Sequence, residues 1–363
     1  MHAAEAEAWL ILSSSGLSPE RQRMLVETFG SAQALLAASD QEIREVPGVL
    51  PAQVAKLRAA SARADLGRLR DLCLETGVSL ISFQDEAYPR RLAEIPDGPP
   101  LLYVQGEFTR NDELAVALVG TRKATPYGLQ IARRLAAELT RRGFTIVSGM
   151  ALGIDAEAHE GALEAGGRSI AVMATGADIT YPPSHRDLRA RLAASGAVVT
   201  EASFGSGPTR YAFPQRNRII AGLSLGVVVV EAPDRSGALI TAEHAADQGR
   251  EVFAVPGSID SPLSRGCHHL IKDGAHLVEV AEDVVEGLGL LLTAVPSRPE
   301  RRRPELSGSE PQVYDALGPQ PLRVDQLVAA TGLDAATLGA TLMMLEVKGL
   351  ARRFAGGTYL RIQ

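Results

Sequence analysis

Seven strand-sized apolar segments alternate with helical stretches through the middle of the chain, and no other feature restricts the possible folds as strongly. The run Val-Val-Val-Val at 227–230 offers no polar face to water, so it predicts a strand that is buried on both sides. Such strands, separated by helices, form a parallel sheet with helices on both faces. We therefore predict an α/β fold with a doubly wound, mostly parallel sheet over residues 78–290. The predicted strands are 114–119, 145–148, 169–174, 197–200, 226–231, 251–255 and 276–279, and the helices between them are 127–142, 154–165, 185–194, 216–223 and 238–248.

The sequence before this sheet predicts a helical, SAM-like domain at residues 1–77. Three short segments each begin at a residue that favours a helix N-cap: 18–29, 31–38 and 40–45. A Pro-Gly turn then leads into a helix at 46–57, which resembles half of a helix–hairpin–helix, a motif whose turn amides can hold a DNA phosphate. A helical domain that only packs is the alternative. Residues 79–107, with four prolines, are predicted to join it to the sheet.

The sequence after the sheet predicts a linker at 291–306, rich in proline and arginine, and a winged-helix domain at 307–363. Three helices precede two short strands around a Gly-Gly turn: 311–317, 324–331 and 334–348, then 351–354 and 358–361. The third helix carries no Arg, Asn or Gln, so we do not expect it to read base edges. Contact of Arg352 and Arg353 with a duplex backbone, contact with a protein, and self-association remain alternatives.

Composition and charge exclude several classes of protein. The net charge of −6 argues against binding nucleic acid over the whole surface. Cationic residues are concentrated locally: residues 121–142 hold six Lys or Arg and one acidic residue, and residues 202–230 hold no acidic residue. Cys73 and Cys267 are too few for a disulfide framework or a zinc site. The longest apolar runs are shorter than the about 18 residues that span a bilayer, and the acidic N-terminus lacks an export signal, so we expect a cytoplasmic protein with no membrane partner.

Four loops rich in Gly, Ser and Thr follow strands or begin helices in the predicted sheet: 119–128, 147–155, 213–222 and 236–241. The carboxyl ends of parallel strands form the ligand-binding edge of such sheets, and helix N-termini there present free amides to anions. The sequence contains neither the Gly-x-Gly-x-x-Gly of dinucleotide-binding domains nor the P-loop of nucleoside triphosphatases. We therefore predict a different phosphate-bearing ligand.

Two strings are specific: Phe-Pro-Gln-Arg-Asn-Arg at 213–218 and Ser-Gly-Ala-Leu-Ile-Thr-Ala at 236–242. The segment 175–185 precedes them in the chain, and Val-Pro-Gly at 255–257 follows them. Together they resemble the DNA-processing protein A (DprA/Smf) family. The resemblance implies an extended Rossmann-like fold that forms a homodimer and binds single-stranded DNA without marked sequence preference. It also implies loading of the RecA recombinase during natural transformation and recombination, with single-strand-binding protein as a further candidate partner. No catalytic residue, metal or cofactor is expected, and the protein is not expected to be an enzyme.

Carried over position by position, the resemblance assigns single-stranded DNA binding to residues of all four loops. Arg122 should contact the DNA backbone, the amides of the second loop should take a phosphate, and the aromatic side chains, Tyr127 among them, should stack with bases. The two arginines of the third loop lie two apart on a helix, so one should face phosphate and the other a carboxylate such as Asp155 or Glu231. The assigned residues are Gly120, Thr121, Arg122, Lys123, Ser148, Gly149, Gly153, Tyr211, Phe213, Arg216, Asn217, Arg218, Ser236 and Gly237.

One position departs from the family pattern in a way that bears on binding. Leu152 stands where many members have Lys or Arg, and Lys123 or Arg210 are candidates to replace that charge. Two other interpretations remain open: a Rossmann-like nucleotide phosphoribohydrolase, whose Pro-Gly-Gly-x-Gly-Thr-x-x-Glu loop is absent, and a purely structural dimer. The candidate acid–base residues Asp155, His159, Asp178, His185 and Glu231 are expected to have structural roles.

Overall fold

The computed structural model describes residues 1–289, 306–318, 321–354 and 357–361. The predicted linker at 291–306 lies outside the described residues except for its last position. The chain forms two compact units, Met1–Lys123 with Ala132–Leu291, and Ala124–Ile131 with Leu292–Gln363.

The first unit is built on a nine-stranded sheet in the order β1-β2-β6-β5-β4-β3-β7-β8-β9. All pairs from β6 to β9 are parallel, and the pairs β1–β2 and β2–β6 are antiparallel. The prediction of a mostly parallel α/β sheet is confirmed. The strands are β1 (Val78–Ser82), β2 (Leu101–Gly106), β3 (Ala115–Val119), β4 (Thr145–Ser148), β5 (Ser169–Val172), β6 (Ala197–Thr200), β7 (Gly226–Val229), β8 (Glu251–Ala254) and β9 (His276–Leu277).

Strands β1 and β2 were missed by the sequence prediction, which treated 79–107 only as a connection. The four prolines of that segment lie between the two strands or just before β2, where they do not interrupt the hydrogen bonds of the sheet. β1 is only partly buried, so it lacks the continuous apolar pattern of the central strands. The connection is thus also the antiparallel edge of the sheet.

Helices cover both faces of this sheet, as the prediction required. Neighbouring residues of β5 show the two faces: Ile170 packs in the core with helices 212–222 and 237–247, whereas Ala171 packs with helix 186–195. The helices of the first 76 residues are α1 (Ala3–Ser13), α2 (Pro19–Phe29), α3 (Ala32–Ala37), α4 (Asp40–Glu45), α5 (Pro51–Arg63) and α6 (Leu66–Thr76). Those that follow are α7 (Arg90–Ala93), α8 (Pro126–Arg141), α9 (Ile154–Glu164), α10 (Arg186–Ser195), α11 (Ala212–Gly222), α12 (Gly237–Asp247), α13 (Arg265–Lys272) and α14 (Ala281–Gly287).

The N-terminal helices confirm the predicted helical segment and add α1 and α6 to the helices found from sequence. Their core, which includes the fully buried Trp9 and Leu57, continues into Leu101 and Tyr103 of β2. Residues 1–77 therefore share a hydrophobic core with the sheet, and the domain boundary at 77 stays a prediction. In the Pro-Gly turn, the amide of Val49 donates to the Val46 carbonyl and that of Leu50 to the Gln53 side chain, so neither is free for a phosphate.

The second unit contains the predicted winged helix, with three helices and a small sheet in the order β10-β12-β11. Its core includes Val313, Leu327, Leu338, Leu342 and Leu345. The elements are α15 (Glu310–Ala316), β10 (Leu322–Arg323), α16 (Val324–Thr331), α17 (Ala335–Val347), β11 (Ala351–Phe354) and β12 (Thr358–Arg361). Within the described ranges no single helix is long and apolar enough to span a membrane; α16 and α17 together reach that length and composition, but the chain bends by 106° between them.

Candidate nucleic-acid interface

The predicted loops meet at the carboxyl ends of the central strands. β3 lies between β4 and β7, and the chain winds outward from β3 to β6 on one side and from β7 to β9 on the other. Such a switch point leaves a crevice at the carboxyl edge, which is where doubly wound sheets bind their ligands. The topology therefore brings the first, second and fourth predicted loops to one edge.

An open pocket of about 50 Å³ lies at this edge. It contains three of the residues assigned from sequence, and it adds Tyr181 and Thr175, which the sequence prediction missed. Both residues lie in the string at 175–185, which is part of the family pattern and is the sequence signal for them. The lining residues are Arg122, Gly149, Ala151, Leu152, Ala174, Thr175, Tyr181, Pro182 and Phe213.

Arg122 and Phe213 stack on each other beside the pocket. The Arg122 guanidinium carbon lies 4.5 Å from the centre of the Phe213 ring, and the Arg122 side chain is exposed. The ring of Tyr181 lies 5.7 Å from that of Phe213, centre to centre, with a tilt of 52°. We call Arg122, Phe213 and Tyr181 the stacking platform. The stacking platform therefore combines one cation with two aromatic rings at an opening to solvent.

The loop that carries Arg122 is held by backbone hydrogen bonds. The Thr121 amide donates to the Glu231 carbonyl at 2.7 Å, and the Ile154 amide donates to the Thr121 carbonyl at 3.3 Å. Gly153 makes this approach possible: its φ is +80°, and a Cβ there would lie 2.4 Å from the Thr121 oxygen. A Cβ at Gly120 would also lie within 3 Å of Ile154. Gly120, Thr121 and Gly153 thus position Arg122.

The Asp155 carboxylate accepts hydrogen bonds from two backbone amides of the second loop. Its Oδ2 accepts the Gly149 N–H at 3.1 Å and the Ala151 N–H at 3.3 Å. Burial raises the pKa of the Asp155 carboxyl, while Arg216 and these two amides act in the opposite direction. In this structure the Gly149 amide therefore has a protein carboxylate as its partner, and its contact with a phosphate stays a prediction.

Arg216 lies beneath the same loop and is almost fully buried. Its Nη1 donates to the Gly149 carbonyl at 2.7 Å and also to the Val172 carbonyl. Burial lowers the pKa of Arg216 to about 10, and Asp155 opposes that shift, so the guanidinium stays charged at neutral pH. Arg216 therefore joins the ends of β4 and β5 and neutralises Asp155.

Arg218 is buried as well and pairs with Glu201 at 2.5 Å and with Asp97 at 3.3 Å. Arg218 therefore faces protein carboxylates, and Arg216 faces backbone carbonyls near Asp155; both guanidinium groups point inward, and contact of either with a ligand stays a prediction. The reason is that α11 begins at Ala212, four residues before the predicted start, so that Arg216 and Arg218 lie inside a helix packed on the sheet. Neither Arg218 carboxylate partner is the predicted Asp155 or Glu231.

Several other assigned residues have internal partners. The Ser148 hydroxyl is buried and donates to the Leu118 carbonyl at 2.6 Å. Asn217 donates through Nδ2 to the Gly237 carbonyl at 3.0 Å, and the Ser236 hydroxyl caps α12 by accepting the Ala238 N–H at 3.3 Å. Gly237 itself is exposed at the first turn of α12. These residues shape the rim, and among them Gly237 leaves the backbone most open to a ligand.

The remaining assigned residues are exposed. Lys123 and the candidate substitute Arg210 are both on the surface, and Tyr211 is 87% exposed but is not part of the pocket lining. Leu152 is 49% exposed and does line the pocket. Tyr127 is half-buried in the first turn of α8. The pocket wall is therefore apolar at the position where the family pattern often has a cation.

The candidate acid–base residues are part of the framework. His159 is fully buried, its Nδ1 lies 2.7 Å from the Ser169 hydroxyl, and burial together with His185 and Arg216 lowers its pKa to about 3. Asp178 accepts the Gly205 N–H at 3.0 Å, and His185 contacts the Met150 carbonyl at 2.9 Å. The described part of the chain contains no group of three or more His, Cys, Asp or Glu suited to a metal ion.

Comparison with known proteins identifies the family. The family model described as DNA recombination-mediator protein A matches residues 79–289, and that of the DprA winged helix domain matches residues 297–357. The chain is 34% identical to protein Smf of Synechocystis sp., over 99% of this chain and all of that protein, and 40% identical to protein Smf of Escherichia coli, over 78% and 77%.

Two solved structures agree with that assignment. The DNA processing protein A of Streptococcus pneumoniae has a TM-score of 0.68 and 36% identity, covering 76% of this chain and 95% of that one. The DNA processing protein A of Helicobacter pylori, whose structure concerns its single-stranded DNA binding mode, has a TM-score of 0.52 and 29% identity, covering 59% and 97%. With its sheet, its winged helix and its signature loops, the chain belongs to the DNA recombination-mediator protein A (DprA/Smf) family.

Proposed function

We propose that the protein binds single-stranded DNA without marked sequence preference at the stacking platform. The observation that carries the proposal is the exposed Arg122 guanidinium stacked on Phe213 at the mouth of an open pocket. Every base has a π face, so aromatic stacking tolerates any sequence, and a guanidinium can bind a neighbouring phosphate. The single-stranded DNA binding of the related Helicobacter pylori protein supports the same assignment.

The distribution of charge supports a focused site. Arg122, Lys123 and Arg210 are exposed cations on a chain with a net charge of −6. Because Leu152 replaces a cation at the pocket wall and Arg216 and Arg218 are paired internally, few cations remain to neutralise phosphates. We therefore expect stacking to supply a large part of the affinity and the salt dependence to be modest.

We propose that this site binds and does not catalyse. The pocket lining contains no carboxylate and no imidazole, and the nearby Asp155 and His159 are buried within the protein. General acid–base chemistry needs such a group within hydrogen-bonding reach of the ligand. A nucleotide phosphoribohydrolase would have to use residues outside this lining.

We further propose that the bound strand is passed to the RecA recombinase during natural transformation and recombination, in the cytoplasm, with single-strand-binding protein as a competing or cooperating partner. Membership of the recombination-mediator family supports this proposal. The test is assembly of RecA filaments on single-stranded DNA that is already coated with single-strand-binding protein. Acceleration by the parent chain and none by Arg122→Ala is the expected result; no acceleration by either refutes the mediator role.

We propose that the protein is a homodimer through the Rossmann-like domain, at the edge formed by β9. Leu277 of this edge strand and the nearby Val280 are exposed apolar side chains. An open apolar strand edge is a favourable place for a second copy to pair about a two-fold axis. Light scattering during gel filtration should show the mass of a dimer for the parent and of a monomer for Leu277→Lys. A parent monomer at all concentrations contradicts the proposal.

The experiment that tests DNA binding is a titration with oligo-dT of increasing length at two salt concentrations, with AMP as the comparison ligand. We expect tighter binding with length, weaker binding at the higher salt, and no turnover of AMP. Binding of AMP as tight as that of a long oligonucleotide, or release of its base, would favour the phosphoribohydrolase.

A further inference from the structure

Helix α17 of the winged helix has an apolar side that faces solvent as well as one that faces the core, and the exposed polar residues Thr337 and Glu346 lie between them. Leu338, Leu342 and Leu345 point into the core of the unit. On the opposite side, Met343 is 68% exposed and Val347 is 76% exposed. We call this side the α17 outer face; it consists of Ala336, Gly339, Ala340, Met343, Met344 and Val347, all exposed.

A second apolar stripe on a helix of a small domain is normally covered by another apolar surface. The outer face has no Arg, Asn or Gln, so it lacks the groups that read base edges in a DNA groove. Methionine side chains are flexible and polarizable and adapt well to another apolar surface. The chemistry of this face therefore fits the apolar face of another helix.

We propose that the α17 outer face binds α17 of a second copy of the chain in an antiparallel pair. The spacing of Ala336, Ala340, Met343 and Val347 places them in one line along the helix. A two-fold axis between positions 341 and 342 puts Met343 of one copy opposite Ala340 of the other, and Val347 opposite Ala336. Large side chains thereby meet small ones along the entire contact, as close packing requires.

The charges at the two ends of α17 favour the antiparallel direction. Asp334 caps the start of the helix, where hydrogen bonds from Thr337 hold the pKa of its carboxyl below the usual value, and Lys348 follows the last turn. In the antiparallel pair, Asp334 of one copy lies near Lys348 of the other at both ends, whereas a parallel pair brings like charges together. Lys348 also pairs with Glu310 at 2.6 Å, and its ammonium has three N–H groups to share.

The size of the contact sets its strength. A helix of 13 residues is about 20 Å long, and a pair of that length buries less area than the about 1,200–2,000 Å² of stable interfaces. The association is therefore weak and depends on concentration, or on another contact that already holds two copies together. It does not depend on the DNA site.

The first test is sedimentation equilibrium, over a range of concentrations, of the full chain carrying Leu277→Lys; this variant, which lacks the contact proposed at β9, is the parent for the test. Met343→Glu places a carboxylate in the contact, and we expect it to weaken the association measured for the parent by at least about tenfold. Leu74→Glu, on the exposed side of α6, is the matched control and should leave the association unchanged. Equal association of Met343→Glu and the parent refutes the proposal.

The second test measures the register by cross-linking. Ala340→Cys and Met343→Cys are made in separate chains that carry Cys73→Ala, because Cys73 is the native thiol that is partly exposed. On oxidation, the mixture of the two chains should give a disulfide-linked dimer in higher yield than either chain alone. If α17 instead binds another protein or DNA, mixing gives no additional dimer, and the proposal is wrong.

Discussion

Phe213 and Arg122 contact each other in the stacking platform, yet their removal should affect DNA binding in different ways. Phe213→Leu keeps an apolar side chain against Tyr181 but removes the π face that a base can stack on. Arg122→Ala keeps the π face and removes the exposed cation above it. Stacking does not depend on salt, whereas a phosphate contact releases counterions and does.

The magnitudes follow from these contacts. Loss of base stacking costs about 1–3 kcal/mol, so Phe213→Leu should weaken the affinity for oligo-dT by about 5- to 150-fold at every salt concentration. Loss of one phosphate contact lowers the slope of log K against log salt by about 0.7. Between 50 and 200 mM salt, the parent should therefore lose about 2.6-fold more affinity than Arg122→Ala.

The assay is fluorescence anisotropy with a labelled oligo-dT at four or more salt concentrations. Arg63→Ala removes an exposed arginine at the end of α5 and serves as the control for a general loss of charge, and Tyr211→Ala is the control for an exposed aromatic outside the pocket lining. The assigned role of Tyr211 is tested by the same measurement. If Phe213→Leu changes the slope and Arg122→Ala does not, the reasoning about the platform is refuted.

Three further predictions concern the framework under the platform. Arg218→Ala leaves two carboxylates without their partner, and we expect a loss of about 3 kcal/mol in the free energy of unfolding by urea; a stability equal to that of the parent would show that the buried pairs contribute little. His159 has a pKa of about 3 in the folded chain against about 6.5 when unfolded, so the unfolded chain binds more protons between those values and stability falls as the pH drops. Urea unfolding at pH 7 and pH 5 should show a loss about 2 kcal/mol larger for the parent than for His159→Gln, and equal losses would contradict this. Gly153→Ala should destabilise the chain by about 1–3 kcal/mol, because of its positive φ and the contact with the Thr121 carbonyl. Gly237→Ala, where a Cβ meets no atom within 4 Å, is the matched control for thermal unfolding, and equal melting temperatures for the two variants would count against the strain at Gly153.

The sequence was sufficient to predict the central strands, because Val227 and its neighbours form a run that is apolar on both faces. It was not sufficient for β1, since one side of that strand is partly exposed and the pattern resembles a loop. The predicted start of α11, residue 216, is four residues later than the observed start at Ala212, and Pro214 lies in the first turn. Proline is tolerated in the first turn, where its missing N–H has no partner to bind.

The candidate site was predictable as a set of loops but not as a set of contacts. Arg122 and Phe213 are 91 positions apart, and only the topology of the sheet brings them together. The inward-facing Arg216 hydrogen-bonds the Gly149 carbonyl, 67 positions away, and this contact is likewise non-local. In the sequence, signature residues that face solvent cannot be distinguished from signature residues that hold the loops in place.

The shared core between the N-terminal helices and β2 has a consequence for truncation. A chain beginning at residue 78 would expose Leu101 and Tyr103 along a sheet edge that Trp9 and its neighbours normally cover. It would also lose Glu20, whose carboxyl pKa is lowered mainly by a hydrogen bond with Ser18 and to a smaller extent by the charge of Arg218. We expect the shortened protein to aggregate, because this apolar surface and strand edge would be exposed. Because residues 1–77 complete the hydrophobic core on this side of the sheet, we expect them to be required for the stability of the first unit.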